Sequence, residues 1–148
     1  MVKKQWMGDK MRKKLNLSKF NIFLEKMHDE IITRIIVEND KLSLHIDDLH
    51  FSKKYLKAEL VFNSFDDIKS DVYFEFCNTN NLSITGKTVF LDDFFDNKTF
   101  SSLQFEIIDI YMCFQKICIK GAVIKNAEYV SDFNLFVNSK SLTLFFRK

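Results

Sequence analysis

Proline is absent from this 148-residue sequence, and glycine occurs only three times. Turns must then be built mostly from Asn, Asp and Ser, which accept left-handed backbone or bond to it locally. Gly8, Gly86 and Gly121 stand apart from one another, which excludes a P-loop and a dinucleotide-binding fingerprint. The three cysteines, Cys77, Cys113 and Cys118, form no CxxC pair. An odd count with no visible export signal fits a reducing cytosol, and apolar neighbours predict buried thiols at Cys113 and Cys118. No apolar run approaches the roughly 20 residues of a membrane span, and no apolar h-region follows the N-terminal lysines. The expectation is a cytoplasmic protein with no membrane partner.

Signatures of catalysis are missing too. There is no Gly-x-Ser-x-Gly elbow and no cysteine in a setting that would lower its pKa. The histidines are His28, His45 and His50. His45 and His50 are an odd number of residues apart, so on one strand they would face opposite ways. Regular Cys/His spacing for zinc is absent. Acidic pairs occur at Asp47-Asp48, Asp66-Asp67 and Asp92-Asp93, and Asp67-Ile68-Lys69 matches the acid-x-Lys element of metal-dependent nucleases. That element falls in a predicted turn rather than on a strand, where capping and solvation are the better reading. No metal, no cofactor and no enzymatic activity are expected.

What the sequence does hold is phenylalanine: 17 residues. Phe suits the half-buried surface of a sheet. At this length a single core can form without disulfides or metal. Charge is distributed unevenly. Residues 1–14 carry six basic residues against Asp9 alone, a net +5 in a chain of net +2, so the remainder carries −3. Residues 1–14 read as a flexible basic arm and 15–148 as one β-rich domain. A solvated terminus is preferred over a nucleic-acid or membrane contact, because only Trp6 interleaves the charges.

Phe20, Phe23, Leu24 and Met27 fall on one helical face, with Ser18 as cap, predicting a short helix over 18–27. After Glu30 the period becomes two. Ile31 to Val37 is apolar on both faces, as in a buried strand. Asn39-Asp40 makes a turn, and Leu42, Leu44 and Ile46 alternate with Ser43, His45 and Asp47. Further strands are read over 56–62, 72–76, 82–85, 105–114, 116–124, 129–137 and 142–146. Lys87 to Ser102 breaks the alternation. The fold class expected is mainly β, α+β at the N-terminus: an antiparallel sandwich or strongly curved sheet of about eight strands with one short helix.

One segment reads as a binding surface. Asp92, Asp93 and Asp96 surround Phe94 and Phe95 in the least regular stretch. Aromatic anchors supply contact area and acids steer basic partners. The competing reading, two phenylalanines plugging one end of the sheet, is slightly preferred. Nucleic acid is a poor partner, because Glu59, Glu75 and Glu106 share strands with the candidate exposed tyrosines.

Met27-His28-Asp29-Glu30-Ile31-Ile32, followed by a strand, a tight turn and Leu42-Ser43-Leu44-His45-Ile46-Asp47, resembles the opening of small β-rich bacterial immunity proteins from polymorphic toxin systems. The resemblance covers about 20 of 148 residues, and His-Asp is its distinctive element. It implies a protein that occludes a cognate toxin and has no activity of its own, and a basic toxin domain would suit the acidic loop. The alternative is a small-ligand-binding β-barrel or an enzyme with a pocket in a curved sheet, with His45, Glu59 or Glu75 reaching inward.

Overall fold

The computed structural model describes residues 10–15, 25–38, 41–64, 72–77, 88–90, 102–113 and 116–148. Ten strands carry these residues: β1 (Lys10–Leu15), β2 (Ile31–Ile32), β3 (Arg34–Glu38), β4 (Lys41–Ile46), β5 (Lys57–Ser64), β6 (Val72–Cys77), β7 (Thr88–Phe90), β8 (Gln104–Cys113), β9 (Lys116–Lys125) and β10 (Glu128–Arg147). Every pairing between them is antiparallel.

β10 organises the molecule. Twenty residues at about 3.3 Å each would reach roughly 66 Å if straight, whereas a domain of this length has a radius of gyration of about 15 Å. The strand must bend, and it does so where Ser139, Lys140 and Ser141 follow one another. The register against β5 shifts between Ser139 and Ser141. The Ser139 hydroxyl ties this corner down by donating to the Asn63 carbonyl. Before the bend, Phe133, Leu135 and Val137 are buried; after it, Leu142, Leu144 and Phe146 are. One extra residue at a bulge lets a strand keep its apolar side inward on both sides of a corner.

The two halves of β10 belong to two sheets. Sheet A is ordered β1-β10-β5-β4-β3. Sheet B is ordered β2-β8-β9-β10-β6-β7. The path β2-β8-β9-β10-β5-β4-β3 starts and finishes on one run of chain, since Thr33 alone separates β2 from β3. That run bonds first to β8, with Ile107 N–H donating to Glu30 C=O at 2.8 Å, and then to β4, with Thr33 N–H donating to His45 C=O at 2.9 Å. The path therefore closes into a barrel, with β1 and the pair β6–β7 as flanges on β10.

Apolar residues from both sheets meet in one core that includes Ile32, Leu44, Leu60, Phe62, Ile107, Ile119 and Leu144. An aromatic chain runs through it: Phe76 to Phe74 (5.9 Å between centroids), Phe74 to Phe105 (5.6 Å) and Phe105 edge-on to Phe133 (5.0 Å, 79°). Gly121 sits where this packing is closest. It pairs with Ile107 on one side and Phe133 on the other. A Cβ there would overlap the Glu106 carbonyl oxygen and lie 2.9 Å from Phe133 Cε1.

The mainly β architecture stands as expected, with several differences in detail. The expected strand from Ile31 to Val37 is two strands, and β3 is not buried on both faces. Ile35 and Val37 pack on the core while Arg34, Ile36 and Glu38 are exposed, because no described strand layer covers that side. Of the helix expected over 18–27, residues 18–24 lie outside the described residues, and Glu25–Met27 is a single 3-10 turn with Met27 buried. The basic stretch expected as an arm through residue 14 instead forms β1 from Lys10 onward, in six register pairs with β10. The expected strand at 82–85 lies outside the described residues. No helix among the described residues is long and apolar enough to cross a membrane.

Candidate functional site

Alternation gives every barrel strand an outer face, and the two sheets use theirs differently. On sheet B, pairing registers place Tyr111 of β8, Cys118 of β9, Phe136 of β10, Tyr73 of β6 and Phe90 of β7 in one cross-strand row. With strands about 4.8 Å apart, such a row spans roughly 19 Å. The Tyr73 and Phe136 rings are stacked, 4.9 Å between centroids at 23°. Lys116 Nζ lies 5.2 Å from the Tyr73 centroid and donates to its hydroxyl at 3.3 Å. Cys118 is fully buried between the flanking rows, as its apolar context predicted.

The outer end of this row is open. Tyr111 is 38% exposed, and nearby Ile108 is 42% exposed. Ile108 faces out by alternation after Phe105 and Ile107, and Tyr111 joins it because of a bulge: the register of β8 against β9 shifts between Ile107 and Asp109. Ile107 and Ile110 both stay buried, which pushes Ile108 and Asp109 outward together. The next row holds Glu75, Asn134, Lys120 and Asp109. On this face the carboxylates Glu75, Glu106, Asp109 and Asp132 outnumber Lys116 and Lys120. At the β9–β10 hairpin, turned by Asn126 and Ala127 at positive φ, Tyr129 donates to Asp132 Oδ1 at 2.9 Å. That hydrogen bond holds the Tyr129 phenol above its ordinary range.

Sheet A instead carries a charged network. Arg34 grips Asp47 with two donors, Nε to Oδ2 at 3.1 Å and Nη2 to Oδ1 at 3.0 Å. Thr33 donates to the same carboxylate. The Arg34 bonds hold the Asp47 carboxyl below its usual range. His45 pairs in register with Arg34 and with Glu59. Its Nε2 lies 3.9 Å from Glu59 Oε1, too long for a hydrogen bond. Burial depresses the His45 pKa, and Glu59 offsets this only in part. Arg147 Nη2 closes the line at 3.4 Å from Glu59 Oε2. These groups neutralise one another on the outside of the barrel.

A third polar group fastens the barrel's seam. The Glu30 carboxylate is buried and accepts from the backbone N–H groups of His50 (2.8 Å) and Phe51 (3.0 Å) through one oxygen, while His50 Nδ1 lies 3.3 Å from the other. It thereby clamps the 47–56 loop, whose Phe51 and Tyr55 rings pack on Phe146. His28 and Asp29 beside it form an exposed contact of 3.0 Å, with Asp29 at φ 69°.

Asp92, Asp93, Phe94, Phe95 and Asp96 lie outside the described residues, as do Asp66-Asp67 and Lys69. The chain reaches Asp92 two residues after Phe90, the β7 member of the aromatic row. His45, Glu59 and Glu75 do not reach inward, contrary to the pocket reading. Their strand neighbours Leu44, Leu60, Phe74 and Phe76 occupy the interior positions, and period-two alternation sends these three outward. Among the described residues no cluster of three or more His, Cys, Asp or Glu side chains is disposed to hold a metal. The aromatic row itself escaped the sequence reading. The alignment of Tyr73 and Tyr111 with Phe136 depends on registers between strands distant in sequence.

The chain matches no protein-family model, no curated protein and no solved structure.

Proposed function

We propose that this chain is a non-enzymatic protein-binding module that engages a basic partner through the outer face of sheet B, and that the partner is a toxin domain which it neutralises by occlusion. The observation that carries the reading is the aromatic row ending in exposed Tyr111 beside Ile108, framed by an excess of carboxylates. Aromatic anchors at the centre of a patch dominate binding energy, and surrounding charge sets the encounter rate and the choice of partner. A rigid barrel loses little entropy on presenting them. Asp92, Asp93, Phe94, Phe95 and Asp96 follow Phe90 of β7 closely in the sequence and carry the same combination of acidic and aromatic side chains. The resemblance of residues 27–47 to immunity proteins supports the toxin-directed form of this reading.

The test begins with pull-down from native lysate and cloning of any basic protein recovered. Its affinity is then measured for the unaltered chain, Tyr111→Ala, Ile108→Asp, a Phe94→Ala/Phe95→Ala double variant, and the sheet A variant Arg34→Ala. The first two should lose at least about 30-fold, a hot-spot loss of roughly 2 kcal/mol. The double variant should weaken binding, and Arg34→Ala should leave it unchanged. Co-expression should restore growth to cells making the partner. Equal affinity in the Tyr111, Ile108 and unaltered proteins removes sheet B as the interface.

A further inference from the structure

β1 lies at one end of sheet A, beside β10. β1 is Lys10-Met11-Arg12-Lys13-Lys14-Leu15, four basic residues in six with no acid. Its backbone pairs with β10 through residues Arg147 to Leu142, and among the described residues no strand pairs on its other edge. Its register extends the basic character across the sheet, since Lys10 is opposite Arg147 and Arg147 is opposite Lys57.

A strand edge presents alternating N–H and C=O groups to any extended chain laid beside it. Which chain can add is a matter of charge. A second copy would bring four basic residues against four, and like charges directly opposed in a sheet destabilise it. An acidic segment meets the opposite condition, because cross-strand pairs of unlike charge stabilise. The device that forbids self-pairing thus selects an acidic strand. We infer that the β1 edge is a docking site for an extended, acidic peptide segment of a partner protein, added as a further antiparallel or parallel strand beside β1. The backbone ladder supplies the affinity and the basic residues the selection, as in other strand-addition complexes. Nucleic acid would answer the charge but leave the edge's backbone donors and acceptors without a ladder. This site is separate from the sheet B face and stands or falls independently of it.

The experiment titrates the full chain against fluorescent alternating Glu-Val and Lys-Val octapeptides and a single-stranded oligonucleotide, followed by anisotropy at two salt concentrations. The Glu-Val peptide should bind, weaken severalfold from 50 to 300 mM salt, and outcompete the oligonucleotide, while the Lys-Val peptide should not bind. Two further peptides carry N-methyl groups at alternate residues, one in each phase. Only one phase should abolish binding, because a strand added to an edge turns every second N–H toward it. The variant Lys10→Gln/Arg12→Gln/Lys13→Gln/Lys14→Gln should keep its far-UV spectrum and lose at least 10-fold in affinity. Equal binding by both methylated phases, tighter binding of the oligonucleotide, or no Glu-Val binding would each overturn the inference.

Discussion

Replacing Glu30 separates what its charge does from what its shape does. One carboxylate oxygen accepts both backbone N–H groups, from His50 at 2.8 Å and Phe51 at 3.0 Å, and the second lies 3.3 Å from His50 Nδ1. Glu30→Gln keeps a carbonyl oxygen that can hold both N–H groups. It loses the charge assistance, worth about 1 kcal/mol over a neutral acceptor. Glu30→Met keeps the volume and removes the acceptor. Two donors are then left behind, each costing about 1–3 kcal/mol if buried. His50 is at the surface and water can reach its amide, so the total should fall near the lower part of that range, about 2–4 kcal/mol. Against a typical stability of roughly 5–15 kcal/mol this is a large effect. Urea unfolding of the three proteins should rank unaltered, Gln, Met in descending midpoint with unchanged slope. Amide exchange at His50 and Phe51 should accelerate in the Met variant before exchange in β9 does. A Met variant as stable as the unaltered protein, or a Gln variant as weak as the Met one, would refute the clamp.

Other consequences follow from the same contacts. Gly121→Ala forces a Cβ into the Glu106 carbonyl and against Phe133, and should cost about 1–3 kcal/mol in urea unfolding, the usual penalty of overpacking. Phe133→Ala breaks the interior aromatic chain and should cost about 3–5 kcal/mol by the same assay. The His45 and Asp47 pKa values are both depressed on folding, so the unfolded chain binds more protons and stability falls as pH falls. Melting temperature should be level above pH 6.5, decline below it as unfolded His45 takes up its proton, and decline again below pH 3.8 as Asp47 does. His45→Gln should remove the first decline and leave the second. Tyr111→Ala should leave the melting temperature within a degree or two, since its ring is partly exposed and its loss opens no cavity in the core.

Where apolar and polar residues alternate without interruption, sequence and structure agree. β4 is the clearest case: Leu42, Leu44 and Ile46 are fully buried, and Ser43, His45 and Asp47 are not. β6 behaves alike, and β5 departs from the pattern only at Val61, which is buried on the face opposite Leu60 and Phe62. Disagreement begins wherever one residue is inserted. Asn138-Ser139-Lys140-Ser141 has the composition of a turn, yet β10 passes through it unbroken because the bulge at the corner absorbs the extra residue. β8 hides the same device: the phase of buried Phe105 and Ile107 would turn Asp109 and Tyr111 inward, and the bulge puts both outside. β1 was illegible for another reason. Lys13 sits opposite buried Leu144, so the strand lacks the alternation that marks its neighbours and is held by a register that only tertiary structure supplies. The outward row of Tyr111, Phe136 and Tyr73 draws on residues up to 63 positions apart (Tyr73 to Phe136). Local pattern carries no information about such a row. Barrel closure at Thr33 is likewise a consequence of two ladders, each invisible from the other's sequence.

The most direct test is a hydrogen-exchange map of the chain with and without its recovered protein partner. Slowed exchange is predicted along the exposed part of β8 around Ile108–Tyr111 and in the neighbouring β9 segment, with β3 and β4 unaffected. Protection confined to β3, β4 and the Arg34–Asp47 network, with none at β8, would contradict the account.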